Sequence, residues 1–317
     1  MMKRPPGSNW GDYGPSDRRG RMNELTPQMV LEAAKEIRTG TRFCLSLPLD
    51  YPGGNILHPH RYPPEQKFVD RGGFVARDFP FSRQREGSTG VVNDDMVVLY
   101  TQYSTQWDAF AHVGSHFDAN GDGQDEVVYY NGTYPGPDVN DMALACIQGR
   151  GVMVDLHRRY GNEKTCVDAD MLLDVMREQR VEVETGDMLV LHTGFAQMLL
   201  DMRKQPEKDR LFNSCAGLDG GDQKLLDWVT DSGVVAIIAD NFAVEYYPSK
   251  RRDPGLPFLP LHEHCLFKLG VHLGEIWYLT ELARWLREHN RYRFFLTAPP
   301  LRLPGHVGSP ANPIATV

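Results

Sequence analysis

Cysteine, excess positive charge and long apolar runs are all scarce in this 317-residue chain. The five cysteines (Cys44, Cys146, Cys166, Cys215, Cys265) are scattered, odd in number and never spaced C-x-x-C. That pattern argues against a disulfide framework, a zinc ribbon or a thioredoxin-like redox pair. A reduced, cytoplasmic protein is expected. Lysine and arginine number 34 against 42 aspartates and glutamates, a net charge of −8, so the basic footprint that nucleic acid requires is missing. No apolar stretch approaches the roughly 20 residues that span a bilayer, and the N-terminal segment lacks the apolar core of a signal peptide. Nucleic acid and membrane are therefore not expected partners.

Hydrophobic residues make up 41% of the chain and charged residues 24%, ordinary values for a globular protein. Residues 1–22 carry prolines, glycines and charges without periodicity, and a mobile or draped arm is expected there. Beyond it, helical and strand patterns alternate. Thr26-Pro27 predicts the start of a helix that ends at Gly40, followed by a strand over 42–49. Further strands are predicted at 151–156, 181–184, around GDMLVLHTGF, in GVVAIIADN and in VHLGE. Helices are predicted in ADMLLDVMREQ, DQKLLDWVTDSG, LHEHCLFKLG and LTELARWLREH, and RYRFFLTAPPLRL is the last strand. This alternation predicts an α/β fold with one continuous core over residues 23–317. Residues 50–93 are irregular and rich in Pro, Gly and Arg, with a second proline-rich loop over 248–260. A stretch as long as 50–93 is expected to cover a site or an interface.

The chemistry concentrates in WDAFAHVGSHFDANGDGQDEVVYYNG, residues 107–132. His112, His116 and Asp118 fall within seven residues, and imidazole with carboxylate suits a divalent ion such as zinc or manganese. In a straight strand all three would share a face, but the two histidines would stand about 13 Å apart. A helix would join the histidines and turn Asp118 away. A bend at Gly114-Ser115 resolves the conflict, so a metal site on a bent strand-to-loop junction is expected. The run from Asp118 to Gly123 imitates an EF-hand loop, yet the twelfth position is Tyr129 where a bidentate glutamate is needed. Trp107, Tyr130 and Asn131 are candidate substrate-binding residues. His58, His60, His157, His272, His289 and His306 show no partner pattern.

H-V-G-S-H-F-D resembles the H-x-G-T-H-x-D motif of the putative cyclase superfamily, which includes bacterial kynurenine formamidases, isatin hydrolases and trans-dienelactone hydrolases. GRGVMVDLH, GDMLVLHTGF, GVVAIIADNFAVE, LHEHCLFKLGVHLGE and VGSPANPIA resemble that family's successive blocks in order. The resemblance implies a single domain with a mixed sheet or partly closed barrel and flanking helices, the swivelling β/α arrangement. It implies one or two divalent ions, zinc or manganese, on His112, His116 and Asp118, with His262 and Glu275 as further ligands and His264 as a rival to His262. The family's proton-handling histidine is replaced by Asp122, so the acid/base is either Asp122 or a histidine from another segment, His192 being the candidate. The implied activity is metal-dependent hydrolysis, through a metal-activated water, of an amide, formamide or lactone bond in a small cyclic or aromatic substrate. The reverse cyclisation would use the same parts. A binding protein whose metal only staples the loop is the competing class. Relatives imply a homodimer or homotetramer.

Overall fold

A computed structural model describes residues 3–250 and 256–317. Its frame is a nine-stranded sheet. The strands in chain order are β1 (Arg42–Cys44), β2 (Gln106–Asp108), β3 (Gln148–Asp155), β4 (Met188–His192), β5 (Ala236–Ala239), β6 (His272–Glu275), β7 (Arg293–Thr297), β8 (Gly308–Pro310) and β9 (Ile314–Thr316). In space they run β1-β9-β7-β3-β4-β5-β6-β2-β8. The four central strands β3 to β6 are mutually parallel, and all other pairings are antiparallel. Continuous apolar runs such as Met188–His192 and Ala236–Ala239 are buried throughout, as parallel strands covered on both faces must be. The sheet curls into a half-barrel flanked by helices, a mixed α/β single domain of the kind the sequence predicts.

The longer helices form where periodicity and caps agree. Thr26 Oγ1 accepts from Met29 N at the start of α1 (Pro27–Ala34), and Asp168 does the same for Met171 N at 2.9 Å in α2 (Ala169–Gln179). α3 (Gln223–Ser232) and α4 (Thr280–Glu288) follow the predicted segments. Local differences are few. α1 stops at Ala34, well short of Gly40, and the first strand ends at Cys44. Residues 181–184 are not a strand. The stretch after residue 50 carries two small antiparallel pairs, Glu65–Phe68 with Asp95–Val98 and Phe79–Pro80 with Val91–Val92. The proline loop over 248–260 lies partly outside the described residues. No helix among those described is long and apolar enough to cross a membrane.

The N-terminal arm takes a draped course. Trp10 is fully buried and edge-on to Phe267 and Phe117, and its Nε1 donates to Phe267 O at 2.7 Å. Asn9 Nδ2 donates to Leu269 O at 2.8 Å. Arg21 is buried with its guanidinium on the carbonyls of Val229 and Thr230, at 2.8 and 2.5 Å, where α3 leaves acceptors unfilled. Gly20 and Gly270 both have positive φ, and their backbones touch, since a Cβ built on Gly20 would lie 2.3 Å from Gly270 O. No other residue fits that crossing. Because the arm seals this helical segment, Trp10→Ala should destabilise the protein by about 3–5 kcal/mol, the usual cost of a large aromatic cavity. Urea unfolding followed by circular dichroism measures it. A loss under about 1 kcal/mol would mean the arm contributes little.

Candidate metal centre

Strands β2 and β6 are antiparallel neighbours in the register Asp108 to Leu273 and Gln106 to Glu275. Side chains alternate along a strand, so Gln106, Asp108 and Glu275 share one face while Trp107 and Gly274 take the other. On that other face Trp107 and Trp277 meet edge-on at 5.0 Å, over a glycine whose added Cβ would come within 3.2 Å of either indole. On the first face Gln106 Nε2 donates to Glu275 Oε2 at 3.0 Å, and Gln102 donates to Asp108 Oδ1. Asp108 is fully buried, and its Oδ2 has no hydrogen-bond partner.

His262 completes the group. It closes the short helical turn Pro260–His262 and leads into a π-helical segment, Glu263–Leu269, which ends on the left-handed Gly270. Wide helical turns of this kind recur at functional sites. His262 Nε2 lies 3.2 Å from Glu275 Oε1 and 3.8 Å from Asp108 Oδ2. Its Nδ1 lies 2.7 Å from Glu245 Oε1, which also accepts from His262 N at 3.0 Å, while Glu245 Oε2 accepts from Leu261 N at 3.3 Å. Burial opposes charge on this imidazole, but the hydrogen bonds to Glu245 and Glu275 outweigh it and raise its pKa. Burial, and then Asp108, push the Glu275 carboxyl up.

The donor atoms of Asp108, His262 and Glu275 all lie within 4.8 Å of one another. Two buried carboxylates and one imidazole are an oxygen–nitrogen set that a divalent ion satisfies. The partnerless Asp108 Oδ2 is the kind of buried anionic atom that otherwise carries a large desolvation cost. The residues therefore fit a divalent cation. His112 stands beside the cluster with its ring 6.3 Å from that of His262, and burial holds its imidazole pKa down.

A cavity of about 330 Å³ opens onto this cluster. Its polar lining is His58, Arg61, His112, His262 and Glu275, and its aromatic lining Phe212, Phe242, Tyr247 and Phe258. A larger cleft of about 420 Å³, between α2 and α4, contains none of the cluster residues.

Among the residues singled out from sequence, His112, His262 and Glu275 come together here, while His264 turns away to Thr230 Oγ1 at 2.9 Å. His116 and Asp118 do not join them. Residues Ser115–Phe117 pair with Glu126–Val128, and strand alternation then sends Phe117 inward against Trp10 and leaves His116 exposed. The expected bend at Gly114 does not carry His116 back to the cluster. Asp118 instead closes its own loop, accepting from Gly121 N at 2.8 Å and Gly123 N at 3.0 Å and pairing with Lys3. Asp122 is exposed, and its Oδ1 accepts from Gln124 N. His192 is held between Asp155 Oδ1 at 2.8 Å and Thr280 Oγ1 at 3.3 Å and does not line the cavity. Trp107 packs in the core with Nε1 on Ala298 O, and Tyr130 is buried against Phe110. Asn131 ties down the N-terminal arm through Gly11, Gly14 and Asp17. None of these three lines the cavity.

Sequence reasoning missed Asp108, Glu245, His58 and Arg61. Asp108 follows the polar stretch TQYSTQ and carried no signal, whereas Glu245 carried a partial one as an acid following the apolar run GVVAIIA. A charge so placed is seldom buried without a partner. His58 and Arg61 sit in the irregular stretch and carried no signal.

The sequence matches a family model described as "Putative cyclase" over residues 44–246. A solved structure described as a novel cyclase is 30% identical and has a TM-score of 0.77, the match covering 98% of this chain and 99% of the other. Isatin hydrolase A from Labrenzia aggregata, bound to benzyl benzoate, is 12% identical at TM-score 0.61, covering 92% and 98%. A structure described as a predicted metal-dependent hydrolase from Bacillus stearothermophilus is 16% identical at TM-score 0.51, covering 87% and 97%. At those two lower identities the likeness is one of fold. No curated protein sequence matches the chain. The family model and the near-complete match at 30% identity together show that this chain belongs to the putative cyclase family.

Proposed function

We propose that the chain is a metal-dependent hydrolase that opens an amide, formamide or lactone bond in a small cyclic or aromatic substrate. The observation that carries this reading is the buried Asp108–His262–Glu275 cluster, of which His262 and Glu275 line an aromatic-bearing cavity. Asp108, His262 and Glu275 would hold one divalent ion, zinc or manganese, with His112 beside them. Such an ion, when bound, supplies an activated water and polarises a carbonyl oxygen. The chain's own groups do the rest. Glu245 accepts a hydrogen bond from His262 Nδ1–H, which fixes the ring and leaves Nε2 facing the cluster. Gln102 and Gln106 orient the two carboxylates from behind. The rings of Phe212, Phe242 and Tyr247 meet edge-on, with centroids 5.7 and 5.8 Å apart, and give a planar substrate an apolar surface that keeps out bulk water. Asp122 and His192 face elsewhere, so we assign no proton transfer to them.

The cluster is open to a cavity on one side, which favours an enzyme over a binding protein in which the metal only staples a loop. The fold shared with proteins named isatin hydrolases is consistent with a cyclic or aryl substrate. A cyclisation would use the same groups in reverse. We further propose a homodimer or homotetramer, because the excursion around Glu65–Phe68 and Asp95–Val98 exposes Val75, Val97 and Met96 at 62, 53 and 50%. A two-stranded pair of this kind gains stability by being covered.

Metal analysis with activity assays separates the structural cluster from the sequence motif. Asp108→Asn, His262→Ala and Glu275→Gln should each lose bound metal and reduce hydrolysis at least about 10²-fold, whereas His116→Ala should keep its metal. Glu245→Gln should weaken metal affinity about 10–100-fold, as removal of a ligand's orienting partner does. Retention of metal by the cluster variants together with its loss from His116→Ala would overturn the assignment. On assembly, light scattering at micromolar concentration should show a dimer or tetramer that Val97→Glu weakens, and a monomeric wild type would refute it.

A further inference from the structure

One loop supplies two polar groups to the cavity that the proposed ligand set does not use. His58 and Arg61 both line it. His58 lies edge-on to Phe242, with centroids 6.2 Å apart, and its buried Nε2 has no hydrogen-bond partner. Burial, reinforced by Arg61, depresses its pKa to about 3, so the ring is a neutral donor or acceptor at any working pH. Arg61 Nη1 donates to Gln102 O at 2.6 Å, the residue whose side chain also steadies Asp108. That bond fixes the direction of the guanidinium. Among the described residues Arg61 is the only lysine or arginine on the cavity wall, and its hydrogen bond goes to a carbonyl and not to a carboxylate, although its charge also acts on Glu275. A guanidinium held by one nitrogen presents its remaining N–H groups as a fork matched to a carboxylate.

We propose that His58 and Arg61 form a carboxylate clamp, so that the preferred substrate is an aryl compound bearing a carboxylate near the bond that is cleaved. The aromatic rings take the planar body, Arg61 and the His58 N–H take the carboxylate, and the scissile carbonyl is thereby turned toward Asp108, His262 and Glu275. The kinetic part of this proposal rests on the hydrolase reading; the binding part does not.

The test has two arms, both on metal-loaded full-length protein. In the binding arm, benzoate and the neutral benzamide are titrated calorimetrically into wild type, Arg61→Gln, Arg61→Lys and His58→Ala. Benzoate should bind at least about tenfold tighter than benzamide to wild type, within the range expected for a charge-assisted pair. Arg61→Gln should abolish that preference, and Arg61→Lys should restore part of it. Thermal melting of each variant shows that it is folded, and a misfolded Arg61→Gln leaves Arg61→Lys and His58→Ala to decide. In the kinetic arm, formanilide is compared with its ring-carboxylated counterpart. The carboxylate should raise kcat/KM about tenfold, mainly through KM, and the acid-to-neutral ratio should collapse in Arg61→Gln. Equal affinity for benzoate and benzamide, or a benzoate affinity indifferent to residue 61, would overturn the clamp. Turnover of both anilides without a carboxylate preference would also overturn the clamp while sparing the hydrolase reading. Absence of any turnover beside Arg61-dependent benzoate binding would support the clamp and sink the hydrolase reading.

Discussion

Two buried carboxylates held on one face of an antiparallel strand pair are the constraint that the rest of this molecule accommodates. Asp108 and Glu275 would repel each other in a low-dielectric interior. They stay together because the register of β2 and β6 leaves their side chains no other face. Hydrogen bonds from Gln102 and Gln106 and the imidazole of His262 offset part of that cost. Among the described residues Asp108 Oδ2 and Gln106 Oε1 keep no hydrogen-bond partner on this face, and the carboxylate oxygen is one that a bound cation would satisfy. On the reverse face, Trp107, Gly274 and Trp277 lock the same two strands against sliding. A cluster built on rigid strands keeps its geometry better than one built on loops.

The parallel strands and the N-terminal arm both serve this arrangement. β5 and β6 run parallel, so the chain leaving β5 delivers Phe242 and Glu245 to the same end of the sheet as Glu275. Binding crevices form in open α/β sheets at such strand ends. The π-helical segment that follows His262 is covered from outside by Trp10 and Asn9, bonded to the carbonyls of Phe267 and Leu269. Residues remote in sequence thus hold the backbone next to a proposed ligand. Stability of the arm and geometry of the site are coupled through those contacts.

The polar groups of the cavity come from different parts of the chain. The ligand cluster and Glu245 belong to the sheet and the helical turn after it, where each side chain has a fixed partner. His58 and Arg61 belong to an irregular loop and keep hydrogen-bonding capacity in reserve. Loops tolerate change that a packed strand pair does not.

How much could be read beforehand follows from the range of each interaction. Strands at 148–155, 188–192 and 236–239 and helices at 169–179 and 223–232 were legible because periodicity, caps and apolar runs act over a few residues. The resemblance drew attention to His112, His262 and Glu275, and Gly270 marked the end of the segment that carries His262. The short spacing of His112, His116 and Asp118 does not bring the three together in this structure. A pairing with residues 126–128 imposes strand alternation and exposes His116, whereas Lys3, Gly121 and Gly123 claim Asp118. By itself the sequence determined the order of elements, the buried parallel core and the presence of metal-ligating residue types. Only the tertiary structure decided which acids share a site. Asp108 meets Glu275 through strand register and Glu245 meets His262 through a chain reversal, and such long-range pairings leave no local pattern to read.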